Sequence, residues 1–157
     1  MALAHPRARR RLPGGSALLV AGDEHAWGLA PFLKRLGDDS KVTTVVDVQP
    51  QGADLRAWTK SGRLGSVATR TKPTIILLSL PFAASCEADL AELRRQAGGV
   101  TLVWVRPPGS EPGLRRALDR AKIPSFHSEA LTIPTTGDAV TARGYAGWAG
   151  ALWRWIG

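Results

Sequence analysis

The amino-acid sequence predicts an α/β protein, a three-layer α/β/α sandwich on a parallel sheet of about five strands, flavodoxin-like with strand order 2-1-3-4-5. Two observations carry the expectation. Apolar runs rich in β-branched residues occupy residues 17–21, 42–48, 74–80 and 100–105, with a weaker fifth at 124–127. Segments with helical spacing of apolar residues separate them, and strands alternating with helices make a parallel sheet covered on both faces. A length of 157 residues with 44% hydrophobic content suits one domain with a two-sided core.

The first run, 17–21, ends in Gly22-Asp23, a turn signal ahead of a helix. In that helix Leu29, Phe32, Leu33 and Leu36 share a face, and Gly37 is the expected stop. After the second run comes a basic stretch free of acids, Arg56, Lys60, Arg63, Arg70 and Lys72, expected to form a basic helix face. Leu90, Leu93 and Ala97 predict a helix stopped by Gly98-Gly99. Leu114, Leu118 and Ala121 predict the next one, and Tyr145, Trp148, Ala149, Leu152 and Ile156 the last. Trp27, Trp104 and Trp148 fit core-facing positions. Trp153 and Trp155 cannot share one helical face, so at least one of them is expected to be exposed and available to a partner or a second copy of the chain.

Ligands of such sheets sit at the carboxyl ends of the strands. The segments to inspect are therefore 22–25, 49–54, 81–85, 107–111 and 133–141. Gly22-Asp23 after the first strand, Gly52 after the second, Ser79-Leu80 at the end of the third and Thr141-x-x-Gly144-Tyr145-x-x-Trp148 on the last helix occur in an order and spacing that resembles the SGNH (GDSL-type) hydrolases. The resemblance extends from Ser16 to Gly157. It implies the same sandwich fold and an acyl-ester hydrolase ancestry. In that family a serine attacks an acyl carbonyl, a histidine takes its proton, an aspartate orients the histidine, and backbone amide, glycine and asparagine donors hold the oxyanion.

Carried over residue by residue, the resemblance puts Glu24 at the serine, Gly52 at the glycine, Ala83 at the asparagine, Thr136 at the aspartate and Ala139 at the histidine. Only the glycine remains. A carboxylate at Glu24 would also oppose a developing oxyanion, whereas a first-turn acid is stabilised by free amides and the helix dipole. The chain is thus expected to be a degenerate member of the family, a pseudoenzyme with no catalytic residues at these positions.

His25 or His127 could serve an active hydrolase with a displaced constellation, which is the alternative reading. In Ser125-Phe126-His127-Ser128-Glu129 sequence neighbours on an extended segment point to opposite faces, and the family's triad members come from different loops, so no substitute triad is expected from that run. The single cysteine, Cys86, and the scattered His5, His25 and His127 imply neither a disulfide nor a metal site, and no cofactor is expected.

The net charge of +8 includes a cluster of four arginines in an amino-terminal arm, residues 1–15, where Arg7, Arg9, Arg10 and Arg11 precede Pro13-Gly14-Gly15. The domain proper is expected over 16–157. The apolar run after the arginines is too short for a signal-peptide core or a membrane span, so no membrane partner is expected, and the chain is read as staying in the cytoplasm or entering a particle. The arm is expected to bind a protein partner or particle, with Trp153 and Trp155 as further binding residues and self-association as a second mode. Nucleic acid ranks behind a protein surface because no aromatic residues interleave with the arginines. The function expected is an inactive SGNH-hydrolase-like structural or interaction subunit of a larger assembly, a virion decoration or shell protein in particular. An anion- or nucleic-acid-binding module is the remaining alternative.

Overall fold

A computed structural model describes residues 12–107, 112–128, 133–137 and 139–156. The four arm arginines, Arg7, Arg9, Arg10 and Arg11, lie outside the described residues. The elements run β1 (Ala17–Gly22), α1 (Glu24–Asp39), β2 (Thr43–Val48), α2 (Leu55–Ser61), α3 (Arg63–Thr71), β3 (Ile75–Ser79), a 3-10 turn (Ala84–Cys86), α4 (Glu87–Ala97), β4 (Thr101–Arg106), α5 (Pro112–Arg120), β5 (Ser125–His127), β6 (Thr135–Thr136), β7 (Ala139–Val140) and α6 (Ala142–Ile156).

Five parallel strands form one sheet in the order β2-β1-β3-β4-β5, and β6 and β7 form a separate antiparallel hairpin. The sandwich and its strand order are those expected. Side chains of a strand alternate between faces, and the core divides accordingly. Leu19, Ala21, Ile76, Leu78, Leu102 and Trp104 point to the layer of α2, α3, α4 and α5. Leu18, Val20, Ile75, Leu77, Val103 and Val105 point to α1 and α6.

Three expectations are corrected. Helix α1 does not stop at Gly37 but continues to Asp39; Gly37 is buried, and a Cβ there would lie 2.8 Å from Thr44 Oγ1, so the glycine admits β2 rather than ending the helix. Trp27 is 58% exposed instead of core-facing. The inward stripe of α1 is Ala26, Leu29, Ala30, Leu33 and Gly37, and Trp27 stands about 100° around the helix from Ala26. Trp153 and Trp155 are both half-buried against the α1/α6 side of the core, and Trp155 packs on Phe126 with ring centroids 5.5 Å apart. Neither is the open aromatic surface expected of them, because α6 meets both α1 and β5. Trp104 and Trp148 are buried as expected. Leu12 is buried in the same core cluster, and Gly15 N–H donates to the Lys41 carbonyl at 2.8 Å, so packing begins before residue 16.

Candidate functional site

At the carboxyl end of the sheet, Gly22 closes β1 with φ +127, and a Cβ there would lie 1.9 Å from the Ser79 carbonyl oxygen of β3. Only glycine lets the two strand ends come this close. The next residue, Asp23, donates its own N–H to that carbonyl at 2.8 Å. Its carboxylate caps α1, with Oδ1 accepting from the amides of His25 at 3.0 Å and Ala26 at 3.5 Å. The Gly-Asp pair thus turns the chain from strand to helix, the N-terminal capping role that aspartate fills well.

The closing block has an equally structural account. Thr141 Oγ1 accepts from the Gly144 amide at 3.0 Å and donates to the Pro134 carbonyl at 3.2 Å, which caps α6 and fastens it to the segment that enters β6. A Cβ on Gly144 would sit 2.4 Å from that carbonyl oxygen. Tyr145 then reaches α1, where Gly28 leaves room for its ring: a Cβ on Gly28 would lie 2.2 Å from the Tyr145 Cζ. The Tyr145 hydroxyl shares a hydrogen bond of 3.2 Å with His25 Nδ1. Tyr145 stacks on Trp148 with 6° between the rings, and the His25 ring is 5.5 Å from that of Trp148.

Burial holds the Asp23 carboxyl above its ordinary value; the charge of His25, the Ser79 hydroxyl and the amides of His25 and Ala26 pull it the other way. Burial also raises the Tyr145 phenol, and the carboxylates of Glu24 and Asp23 add to this, so Tyr145 stays neutral beside the imidazole.

The Asp23 shift has a testable sign. A carboxyl raised in the fold contributes stability that is present below its unfolded value, near 3.8, and lost as pH rises through the folded value. Asp23→Asn keeps a capping oxygen and removes the titration. Melting curves should show the variant at least as stable as the parent at neutral pH, with the parent gaining on it as pH falls through the raised folded value towards 3.8 and gaining no more below that. A variant less stable at neutral pH, by the same margin at every pH, would show that the carboxylate charge is not what burial opposes.

The positions inferred from the resemblance lie at this edge, but they carry no acyl-transfer groups. Glu24 opens α1 and is exposed; Gly52, with φ +69, and Ala83 are exposed in the loops after β2 and β3. Thr136 and Ala139 are brought together as direct cross-strand partners in the β6–β7 hairpin, both exposed. Three residues of the edge escaped the sequence reading as a group: Tyr145 as the partner of His25, Ser79 beside Asp23, and Arg106, which ends β4 only 3% exposed. No local signal pairs His25 with a residue 120 positions away. His127 falls at the end of β5.

The basic stretch is partly consumed inside the fold. Arg63 grips Asp47, with Nη2 2.7 Å from Oδ1 and Nε 3.1 Å from Oδ2, and lies 4.3 Å over the Trp58 ring. Arg56 donates to the Ser85 carbonyl at 2.8 Å and approaches Asp89 at 3.5 Å. Among the described residues no three His, Cys, Asp or Glu side chains cluster as a metal site requires, and no helix is long and apolar enough to cross a membrane.

No protein-family model matches the chain, and no curated protein sequence matches it. A solved structure that does resemble it is the periplasmic domain of the lipopolysaccharide acetyltransferase of Salmonella ser. Paratyphi A. The two are 11% identical with a TM-score of 0.51, over 87% of this chain and 81% of that one. At that identity the likeness is one of fold: both are α/β domains of related architecture.

Proposed function

We propose that this chain is an SGNH-hydrolase-like protein without acyl-transfer activity, serving as an interaction subunit of a larger assembly such as a virion. The observation that supports this most directly is the state of the strand-end edge. Where the resemblance puts the nucleophile there is an exposed carboxylate, Glu24, and the nearby imidazole of His25 is engaged by the Tyr145 phenol and packed on Trp148. A serine hydrolase needs a nucleophile within hydrogen-bond reach of its base. At His25 the hydroxyl within that reach is a neutral, half-buried tyrosine. Gly22, Asp23, Thr141, Gly144 and Tyr145, residues of the family blocks, have scaffold roles in the contacts described above.

Turnover of short acyl esters, and acetyl transfer to lipopolysaccharide, the activity named for the structural neighbour, test the proposal. Neither should exceed a heat-denatured control, and Glu24→Ser should restore neither, because the serine would have Ala139 where its base belongs. Turnover above the control that His25→Ala abolishes would overturn the proposal in favour of a displaced constellation.

A further inference from the structure

The opposite edge of the sheet, where the strands begin, has a pattern of its own. Each of the five strands is entered through a residue with positive φ: Gly15 before β1, Lys41 before β2, Lys72 before β3, Gly98 before β4 and Lys122 before β5. In the spatial order β2-β1-β3-β4-β5 these read Lys41, Gly15, Lys72, Gly98, Lys122. Lysine and glycine alternate across the whole edge. The three lysines have φ of 59, 48 and 57 and are the non-glycine residues with positive φ among the described ones. This conformation favours glycine, then asparagine and aspartate, and strains a long side chain.

Neighbouring strands lie about 4.8 Å apart, so lysines on every second strand stand roughly 10 Å apart along a line. All three are exposed. Between Lys72 and Lys122 the edge is hollowed. A cavity of about 660 Å³ is lined by Arg94, Arg95, Gly98, Gly99 and Lys122, and it adjoins one of about 290 Å³, lined by Lys72, Thr69 and Gln96, through the shared Gly98 and Val100.

The acids of this edge are largely spent. Glu92 is held by Arg95, whose hydrogen bond, with that of Gln96, keeps its carboxyl down to about 2; Asp38 pairs with Lys34 at 2.9 Å. Asp39 and Asp119 remain. No ion pair engages Arg94, Lys41, Lys72 or Lys122 among the described residues.

We propose that this edge is a track for the phosphodiester backbone of a nucleic acid, bound without sequence readout. Cations in a row along a hollowed edge suit a linear polyanion better than an isolated anion. No aromatic side chain lines either hollow, so the track offers bases no stacking platform, and its contacts are to phosphates. The track does not depend on the chemistry of the other edge.

The ordinary role of a cation near a helix carboxyl end is to complement the helix dipole, and the test separates that role from binding. Lys72→Gly/Lys122→Gly removes two charges while placing glycine where φ is positive. This variant of the full chain should melt no lower than the parent. Fluorescence anisotropy with a labelled mixed-sequence duplex and its single strand, titrated across salt concentrations, should show affinity lower by on the order of tenfold or more at 0.1 M salt. The slope of log affinity against log salt should be shallower by about two.

A charge-matched Arg115→Gln/Arg143→Gln variant, on the parts of α5 and α6 nearer the other edge, should keep the parent's slope. Failure of the parent to bind, an unchanged slope in the glycine variant, or an equal loss in the Arg115/Arg143 variant would each overturn the proposal. So would polyglutamate displacing the duplex as well as unlabelled duplex does, which would make the edge a seat for an acidic protein surface.

Discussion

Gly22→Ala should abolish the cooperative fold. The new methyl would be placed 1.9 Å from the Ser79 carbonyl oxygen, a backbone atom in the middle of the sheet that cannot swing aside, and at φ +127, where a side chain is itself strained. Moving β3 away to relieve the clash would break the Asp23 N–H bond to that carbonyl and disturb the pairing of Gly22 with Val48 on one side and Ser79 on the other. The expected cost is about 5 kcal/mol or more, a large part of the whole stability of a domain this size. Gly98→Ala is the natural comparison. Gly98 also has positive φ, at φ 63 and ψ −131, but no atom lies within 4 Å of where its Cβ would stand, so only the backbone term applies, about 1–3 kcal/mol. Urea unfolding of both variants checks this, and similar costs at the two sites would show that the crossing of β1 and β3 is looser than the geometry implies.

The contrast between these glycines marks what can be read from sequence and what cannot. The sheet was legible because its central strands are buried on both faces, so Leu18, Leu19 and Val20, or Ile75, Ile76, Leu77 and Leu78, are unbroken apolar runs whose ends differ from the observed strands by a residue or so. The right-handed crossover rule then orders the strands. Gly22-Asp23 was legible as a turn, but its closeness to Ser79 belongs to a pairing between β1 and β3 that no local pattern contains.

Gly37 and Trp27 were misread for related reasons. A glycine near the end of a helical pattern signals a stop unless a neighbouring strand needs its missing side chain, as Thr44 does here. A tryptophan on an apolar helix is inward by default, yet the stripe that faces the sheet is made of smaller residues and Trp27 is left outside it. The strand-end positions Glu24, Gly52, Ala83, Thr136 and Ala139 could be located in sequence. The group that fills the edge, Asp23, His25, Tyr145 and Trp148, could not, because it forms only when α6 returns to pack on α1.

That return depends on one missing side chain, and Gly28→Ala should cost about 3 kcal/mol or more by overpacking a closed interface. The added methyl would fall within 2.5 Å of three Tyr145 ring atoms, Cζ, Cε2 and Cε1. The ring cannot simply withdraw. It is stacked on Trp148, itself 1% exposed, and its hydroxyl is bonded to His25. Gly28 lies in a helix with ordinary φ, so alanine there improves helix propensity by about 1 kcal/mol and the whole loss is steric. A double-mutant cycle separates the terms. Tyr145→Ala alone should cost about 2–4 kcal/mol through lost packing, whereas adding Gly28→Ala to it should cost nothing further or restore stability, since the methyl then enters vacated space. The interaction energy should therefore be negative and about 3 kcal/mol or more in size, at the upper end of the range found for residues in contact. Additive costs in equilibrium unfolding would mean that Tyr145 does not occupy the space over Gly28, and the structural account of the Thr141-x-x-Gly144-Tyr145 block would fail with it.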